Sequence, residues 1–198
     1  VLQFSIDYAR DIGDIYIAAR EPVYRVYKIS TIGGFGEFVQ VTDEGGYGDM
    51  GVDYSEVKGQ FFVGDYSVSK VWRFDRDGSN KFEYVVGGNE QWARSVFFSE
   101  AEDRLYVARD GTAGKDIVRI NYDGTGLEAG VSTGYANIAI FVHGDGYITR
   151  IRGDGKALIR SRFDGTDATE LAGFNWICDF DYDQNTDYYY VLEHPALG

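Results

Sequence analysis

Several sets of side chains in this sequence have types and spacings that could do chemistry. Asp181-Tyr182-Asp183-Gln184-Asn185 has the D-x-D-x-N order of a calcium loop, in which alternating oxygens converge on a hard cation. Such a loop also needs glycine at its sixth position and glutamate at its twelfth. Thr186 and Leu192 stand there instead, so Asp181, Asp183 and Asn185 read as a turn first and a calcium site second. The two histidines, His143 and His194, have no acid or nucleophile at a telling spacing and read as surface or turn positions. No Gly-x-Ser-x-Gly elbow occurs, and nothing argues for a Ser-His-Asp triad. Gly33-Gly34-Phe35-Gly36 is glycine-rich, but no helix follows to complete a phosphate cradle. The single cysteine, Cys178, excludes an intrachain disulfide and a multi-thiolate zinc site. Its apolar context, Trp176-Ile177-Cys178, reads as a buried inert thiol.

The elements that position these groups are set by a repeat. Arg73-Phe74-Asp75-Arg76-Asp77-Gly78-Ser79 returns as Arg119-Ile120-Asn121-Tyr122-Asp123-Gly124-Thr125 and as Arg160-Ser161-Arg162-Phe163-Asp164-Gly165-Thr166, with a worn copy at Lys28–Gly34. The unit length of roughly 40–45 residues signals a solenoid or propeller. Asp-Gly after an alternating run is a hairpin turn, because glycine reaches positive φ without steric cost. The repeated aspartates are expected to cap their own turn amides, and the repeated arginines to serve the scaffold.

Alternation predicts strands at Leu2–Tyr8, Asp14–Ala19, Val23–Ile29 and Glu37–Val41, then Met50–Tyr54, Gln60–Gly64, Lys70–Asp75 and Phe82–Val86. The third unit predicts Arg94–Phe98, Arg104–Ala108, Asp116–Asn121 and Leu127–Ala129. The fourth predicts Asn137–Val142, Gly146–Arg150, Ala157–Arg162 and Ala168–Leu171. A fifth begins with Trp176–Tyr182 and Asp187–Leu192. Four short strands per unit, with turn residues every 8–12 positions, is an all-β signature. The reading is one β-propeller domain of four-stranded antiparallel blades, with repeats at about 1–45, 46–90, 91–133, 134–174 and 175–198. About four and a half blades of a five- or six-bladed ring are present, and the domain is read as incomplete.

Composition narrows the partners. Hydrophobic residues make up 44% and aromatics 16%, enough for a large core. A net charge of −13 with no basic cluster would be repelled by nucleic acid. No apolar run approaches the roughly 18 residues needed to span a bilayer. The sequence opens at Val1 without a signal-like segment, as expected of a mature secreted chain or a piece of a longer one.

Asp53, Phe61-Phe62-Val63-Gly64-Asp65 and Val71-Trp72-Arg73 through Asp77-Gly78-Ser79 together resemble the repeat of YWTD propellers of the low-density-lipoprotein-receptor type. Leu105-Tyr106-Val107-Ala108-Arg109 and Ile15-Tyr16-Ile17-Ala18-Ala19 are looser echoes. The Trp-Thr-Asp core of that repeat is never intact, and NHL-like propellers are the neighbouring class. The resemblance covers nearly the whole chain. It implies six-bladed rings, hence about one and a half blades beyond this sequence, and extracellular protein binding without catalysis.

On that framework one set of residues collects on a single loop face. The connection before each innermost strand carries an aromatic, Tyr47, Trp92, Tyr135 or Trp176, with Arg94 close behind Trp92. The loops after the second strands reach the same face with Arg20, Asp65, Tyr66, Arg109, Asp110, Arg150 and Glu193. Aromatic rings dotted with arginine and acids are what protein and sugar hot spots use; the competing use of the same rings is packing between blades. The leading expectation is therefore a cell-surface or secreted recognition module for a protein or glycan, without cofactor. One alternative is a hydrolase or lyase whose divalent metal is held at the channel by Asp7, Asp53, Asp181 and Asn137. The other is a structural subunit of a larger extracellular assembly.

Overall fold

A computed structural model of the chain describes residues 4–9, 13–21, 23–30, 34–42, 51–65, 68–88, 91–112, 116–133 and 139–194. Every described element is a β-strand. The first sheet is the antiparallel meander β1 (Phe4–Ala9), β2 (Asp14–Glu21), β3 (Val23–Ser30) and β4 (Phe35–Thr42). The second is β5 (Val52–Ser55), β6 (Gln60–Asp65), β7 (Lys70–Asp75) and β8 (Phe82–Val85). The third is β9 (Gln91–Ser99), β10 (Arg104–Gly111), β11 (Asp116–Asn121) and β12 (Glu128–Ser132). The fourth is β13 (Ile140–Val142), β14 (Tyr147–Ile151), β15 (Ala157–Arg162) and β16 (Thr169–Gly173). Only β17 (Ile177–Asp183) and β18 (Tyr188–Glu193) form the fifth. Each predicted strand is present, with ends displaced by a few residues.

The Asp-Gly turns do what their chemistry requires. Gly78, Gly124 and Gly165 sit at φ of 82, 85 and 88°, a region costly for any side chain. Asp77, Asp123 and Asp164 each accept the main-chain N–H two residues on, from Ser79, Thr125 and Thr166, at 2.9 Å. The hydroxyls of Ser79, Thr125 and Thr166 donate to the same carboxylates, and these bonds first, with the main-chain ones second, hold all three carboxyls below the usual carboxylate range.

Period-two alternation sends successive side chains of a strand to opposite faces, and the second, third and fourth sheets bury both faces. On the second strand of each of the first four sheets one pair looks forward to the next sheet: Tyr16 and Ala18, Phe62 and Gly64, Tyr106 and Ala108, then Thr149 and Ile151. The intervening residues, such as Phe61 and Val63 or Leu105 and Val107, look back. Buried clusters consequently form at each junction: Tyr16 and Ala18 with Phe61 and Val63, Phe62 with Leu105 and Val107, Tyr106 and Ala108 with Ile148, and Ile151 with Ile177 and Phe180. Phe62 stacks on Phe98 of the next sheet at 4.7 Å and 7°. Burying a side chain of this size stabilises by about 1.5–3 kcal/mol. Gly51 allows the innermost strands to approach: a Cβ there would lie 2.8 Å from Ser95 Cα and 2.9 Å from the Arg94 carbonyl oxygen.

The repeated arginines extend these junctions. Arg73 lies 4.4 Å over the Tyr122 ring of the third sheet and donates to its carbonyl at 3.2 Å. Arg119 lies 4.3 Å over Phe163 of the fourth. Arg73 and Arg119 thus each clamp the following sheet by a cation–π contact, whereas Arg160 stacks on Tyr147 of its own sheet at 4.1 Å.

Candidate functional site

In an antiparallel meander the start of the first strand and the end of the second lie at the same end of the sheet. Trp92, Arg94, Asp65, Arg109, Arg150 and Trp176 therefore share one end of the molecule. Tyr47, Tyr66, Tyr135 and Asn137 lie outside the described residues.

Burial and pairing divide this set. Arg109 is buried and grips Asp116 with two bonds, Nε to Oδ1 at 2.8 Å and Nη2 to Oδ2 at 2.6 Å. Its Nη1 also donates to the Val86 carbonyl of the second sheet at 2.5 Å and to Gln91 Oε1 at 3.0 Å. Asp65 is fully buried, with Trp72 Nε1 3.4 Å from its Oδ2. Arg94 Nη1 bonds Asp110 Oδ2 at 3.2 Å, both side chains being largely covered. Trp92 is half-buried. Arg109, Asp65 and Arg94 thus join strands and sheets, whereas the sequence reading placed them on the open surface. The physical reason is register: Arg109 lies directly opposite Asp116 across the β10–β11 hairpin, so its charge is satisfied inside the sheet.

Trp176 has a different setting. It is 49% exposed, and its ring leans on Gly155, the positive-φ residue of the β14–β15 turn, which has no side chain to displace it. The main chain around it is pinned, since Ile177 N bonds the Gly155 carbonyl at 2.7 Å and His194 N bonds the Trp176 carbonyl at 2.8 Å. Glu193 Oε1 accepts the neighbouring Asn175 N–H at 2.6 Å. An exposed indole on a fixed backbone loses little freedom on binding. Arg150 stands on the fourth sheet beneath this end, opposite Ile140 and Ile159 in register. Its buried Nε has no hydrogen-bond partner among the described residues, and burial alone pulls its pKa down.

Two of the carboxylates proposed for a channel metal, Asp53 and Asp181, serve the main chain. Asp53 Oδ2 accepts the Phe98 N–H of the third sheet at 2.5 Å. Burial pushes the Asp53 carboxyl well above its ordinary value, the Asp7 charge adds to this, and main-chain bonds oppose it. Asp181 Oδ1 accepts the Tyr182 N–H at 2.7 Å. Asp183 turns both oxygens into its own turn, toward Asn185 N at 2.9 Å and Thr186 Oγ1 at 2.8 Å. Among the described residues no three His, Cys, Asp or Glu side chains are grouped to hold a metal ion.

No protein-family model matches the sequence, and no curated protein matches it. Solved structures do. A chain of the nidogen/laminin complex superposes with a TM-score of 0.78 at 11% identity, over 96% of this chain and 71% of that one. Virginiamycin B lyase from Staphylococcus aureus gives 0.72 at 16%, over 96% and 62%. An auxiliary nutrient-binding protein from Bacteroides thetaiotaomicron VPI-5482 gives 0.70 at 10%, over 96% and 56%. The fold is a partial β-propeller. At these identities the likeness carries the fold alone, because propellers host recognition and catalysis alike. No helix among the described residues is long and apolar enough to cross a membrane.

A further cluster in this propeller centres on His143. His143, read from sequence as a surface or turn residue, is buried. Its Nε2 lies 2.8 Å from Thr149 Oγ1 and 3.1 Å from the Tyr189 hydroxyl, which is itself 2.9 Å from Thr149 Oγ1. The neighbouring Gly-Asp-Gly looks like a surface turn, and the cover comes from Tyr182 and Tyr189 of the next blade, a contact that local sequence does not announce. His194 is exposed, as read, and Cys178 is half-buried and free. Burial, with the Arg160 charge, lowers the His143 pKa against the opposing pull of Asp145 and Asp187. A lowered folded-state value means that the unfolded chain takes up the proton first. Stability is therefore full above the ordinary histidine value and declines as the pH falls through about 6.5 toward the folded-state value. His143→Gln keeps a polar side chain and does not titrate, so its urea midpoint is expected to change less than wild type between neutral and mildly acidic pH. An equal acid-side loss in both proteins would show that other groups control it.

Proposed function

We propose that this propeller is a non-catalytic recognition module of the YWTD type, acting outside the cell and binding a protein or glycan at the loop face around Trp176. The observation that carries the proposal is the exposed, backbone-pinned indole of Trp176 on the face where Arg109, Arg94 and Asp65 are already engaged. Large aromatic anchors of this kind dominate interface energetics, and tryptophan faces also stack on sugar rings. Asp53 and Asp181, two of the carboxylates a metal enzyme would use, accept main-chain N–H groups. The nidogen/laminin structure, a complex between proteins, supports the reading by analogy; a lyase among the similar structures means that the test must also look for turnover.

Binding of the chain to arrays of extracellular-matrix proteins and of acidic and neutral glycans tests the proposal. Wild type is expected to bind a subset without consuming it and without dependence on chelator. Trp176→Ala is expected to weaken that binding by roughly 30-fold, the equivalent of about 2 kcal/mol. Conversion of an array member to product, or binding that Trp176→Ala leaves unchanged, would overturn it.

A further inference from the structure

The turns at the end of the sheets away from Trp176 follow one plan, and the second blade departs from it. Repeat alignment places Gln60 with Arg104 and Tyr147, Asp75 with Asn121 and Arg162, and Arg76 with Tyr122 and Phe163. In the third and fourth blades the last of these slots holds an aromatic ring covered by the arginine of the preceding blade, Tyr122 by Arg73 and Phe163 by Arg119. The fourth blade also fills the first two slots with large side chains, Arg162 lying 4.0 Å over the Tyr147 ring. The second blade instead has the shorter pair Gln60 and Asp75, and an exposed Arg76 where the ring would be. A cleft of about 580 Å³ opens there, lined by Lys58, Gly59, Gln60, Asp75, Arg76 and Asp77. A Cβ at Gly59, which sits at φ 65°, would meet nothing within 4 Å, so bare main chain faces open space. Small-molecule sites usually span about 300–1,000 Å³.

The walls of this cleft are tied in place. Arg76 N bonds the Gly59 carbonyl at 3.0 Å and joins the two turns. The Tyr122 hydroxyl donates to Gln60 Oε1 at 2.6 Å, Gln60 Nε2 donates to Asp75 Oδ1 at 2.6 Å, and Asn80 Nδ2 donates to Asp75 Oδ2 at 2.5 Å. Lys58 Nζ is held 2.7 Å from Asp103 Oδ1 and 4.4 Å over the Tyr122 ring. The Asn80 and Gln60 amides keep the Asp75 carboxyl below its ordinary value, and the Ser79 hydroxyl and N–H do the same for Asp77. Both carboxylates are therefore ionised acceptors at neutral pH. Each Asp75 oxygen takes one donor in these bonds and can take another, and the Lys58 ammonium has donors beyond the one aimed at Asp103. Side chains already held in place lose little freedom on binding.

Charge decides what such a cleft can take. Lys58 and Arg76 balance Asp75 and Asp77, so the lining favours a ligand without net charge, and the −13 of the whole chain opposes an acidic one. A hydroxyl donates one bond and accepts others, which suits a wall where carboxylate acceptors alternate with cationic donors. Several such groups around one cleft suit a ligand with several adjacent hydroxyls. We infer that the cleft between the β5–β6 and β7–β8 turns binds a neutral saccharide through its hydroxyls, at a site separate from the Trp176 face.

Amide NMR titration of the isotope-labelled chain tests the inference. The neutral probes are the methyl pyranosides of glucose, mannose and galactose together with N-acetylglucosamine; glucuronate and glucosamine are the charged comparators. At least one neutral probe is expected to move the amides of Lys58, Gly59, Gln60 and Asp75 to Asp77 saturably, with a Kd of about 1–10 mM, and the charged probes are expected to bind more weakly. Arg76→Ala and Lys58→Ala, which shorten side chains at exposed and half-buried positions, are each expected to weaken that binding roughly tenfold, with amide positions elsewhere in the sheets as the check on folding. Trp176→Ala is expected to leave the cleft shifts as they are, which separates this site from the loop face. Cleft amides that stay still up to about 50 mM of every neutral probe would overturn the inference. So would tighter binding of a charged probe, or shifts that survive both Arg76→Ala and Lys58→Ala unchanged.

Discussion

Replacing Arg109 by methionine is expected to lower the stability of the protein by about 3–5 kcal/mol, because it strips one partner from a buried ion pair. Asp116 would lose both of its guanidinium bonds, at 2.8 and 2.6 Å. The Val86 carbonyl, which receives Arg109 Nη1 across the junction of the second and third blades, would lose a charged donor. In a chain of this length the change corresponds to a fall of roughly 10 °C in melting temperature. The pair itself need not be worth that much. Two charges taken out of water offset much of their own attraction, and the large cost arises when one is left behind. Arg109→Met combined with Asp116→Leu is therefore expected to recover part of the loss. Thermal melts of the two single variants and the double variant check this; a single variant within about 0.5 kcal/mol of wild type, the range of ordinary surface substitutions, would contradict it.

Asp53→Ala is the second large effect, at about 1–3 kcal/mol, the cost of leaving a covered N–H without its acceptor. The Phe98 N–H belongs to β9, so the bond at 2.5 Å ties the innermost strands of two blades together. Asp53→Asn keeps a side-chain oxygen and is expected to restore most of the stability. The two variants also differ from wild type in their response to pH. Burial, reinforced by Asp7, raises the folded-state value of the Asp53 carboxyl, so the folded chain holds this proton more tightly than the unfolded chain. The contribution is full below the ordinary aspartate value and is lost as the pH rises through the folded-state value. Asp53→Asn removes that loss, and its urea midpoint is expected to fall less than that of wild type as the pH rises over that interval. A parallel fall in both would assign the effect to another group.

Much of the fold is legible because it is local. Alternation in Gln60–Asp65 and Lys70–Asp75 with Asp77-Gly78 following specifies strand, strand and turn, and aligning the units specifies which residues face forward. Phe62, Tyr106 and Tyr190 fall in one slot before any coordinates are known. The site is less legible because pairing across strands decides it. Arg109 and Arg150 look alike as arginines near the ends of second strands. One meets Asp116 across its hairpin, and the other meets Ile140 and Ile159. The hairpin register of β10 and β11, read one step further, would have paired Arg109 with Asp116. His143 was beyond reach, since the residues that bury it, Tyr182 and Tyr189, lie on the next blade and identify themselves only through packing.

On the proposed reading the loop face separates into residues that hold the propeller together and a residue that meets the ligand. The measurement that tests it most directly is the affinity of Trp176→Ala and Arg109→Met for one array-selected ligand, at a temperature where both variants are fully folded. Trp176→Ala is expected to bind roughly 30-fold more weakly and to melt where wild type melts. Arg109→Met is expected to bind as wild type does and to melt much earlier. The opposite pattern, with Arg109 needed for binding and Trp176 needed for stability, would contradict the account.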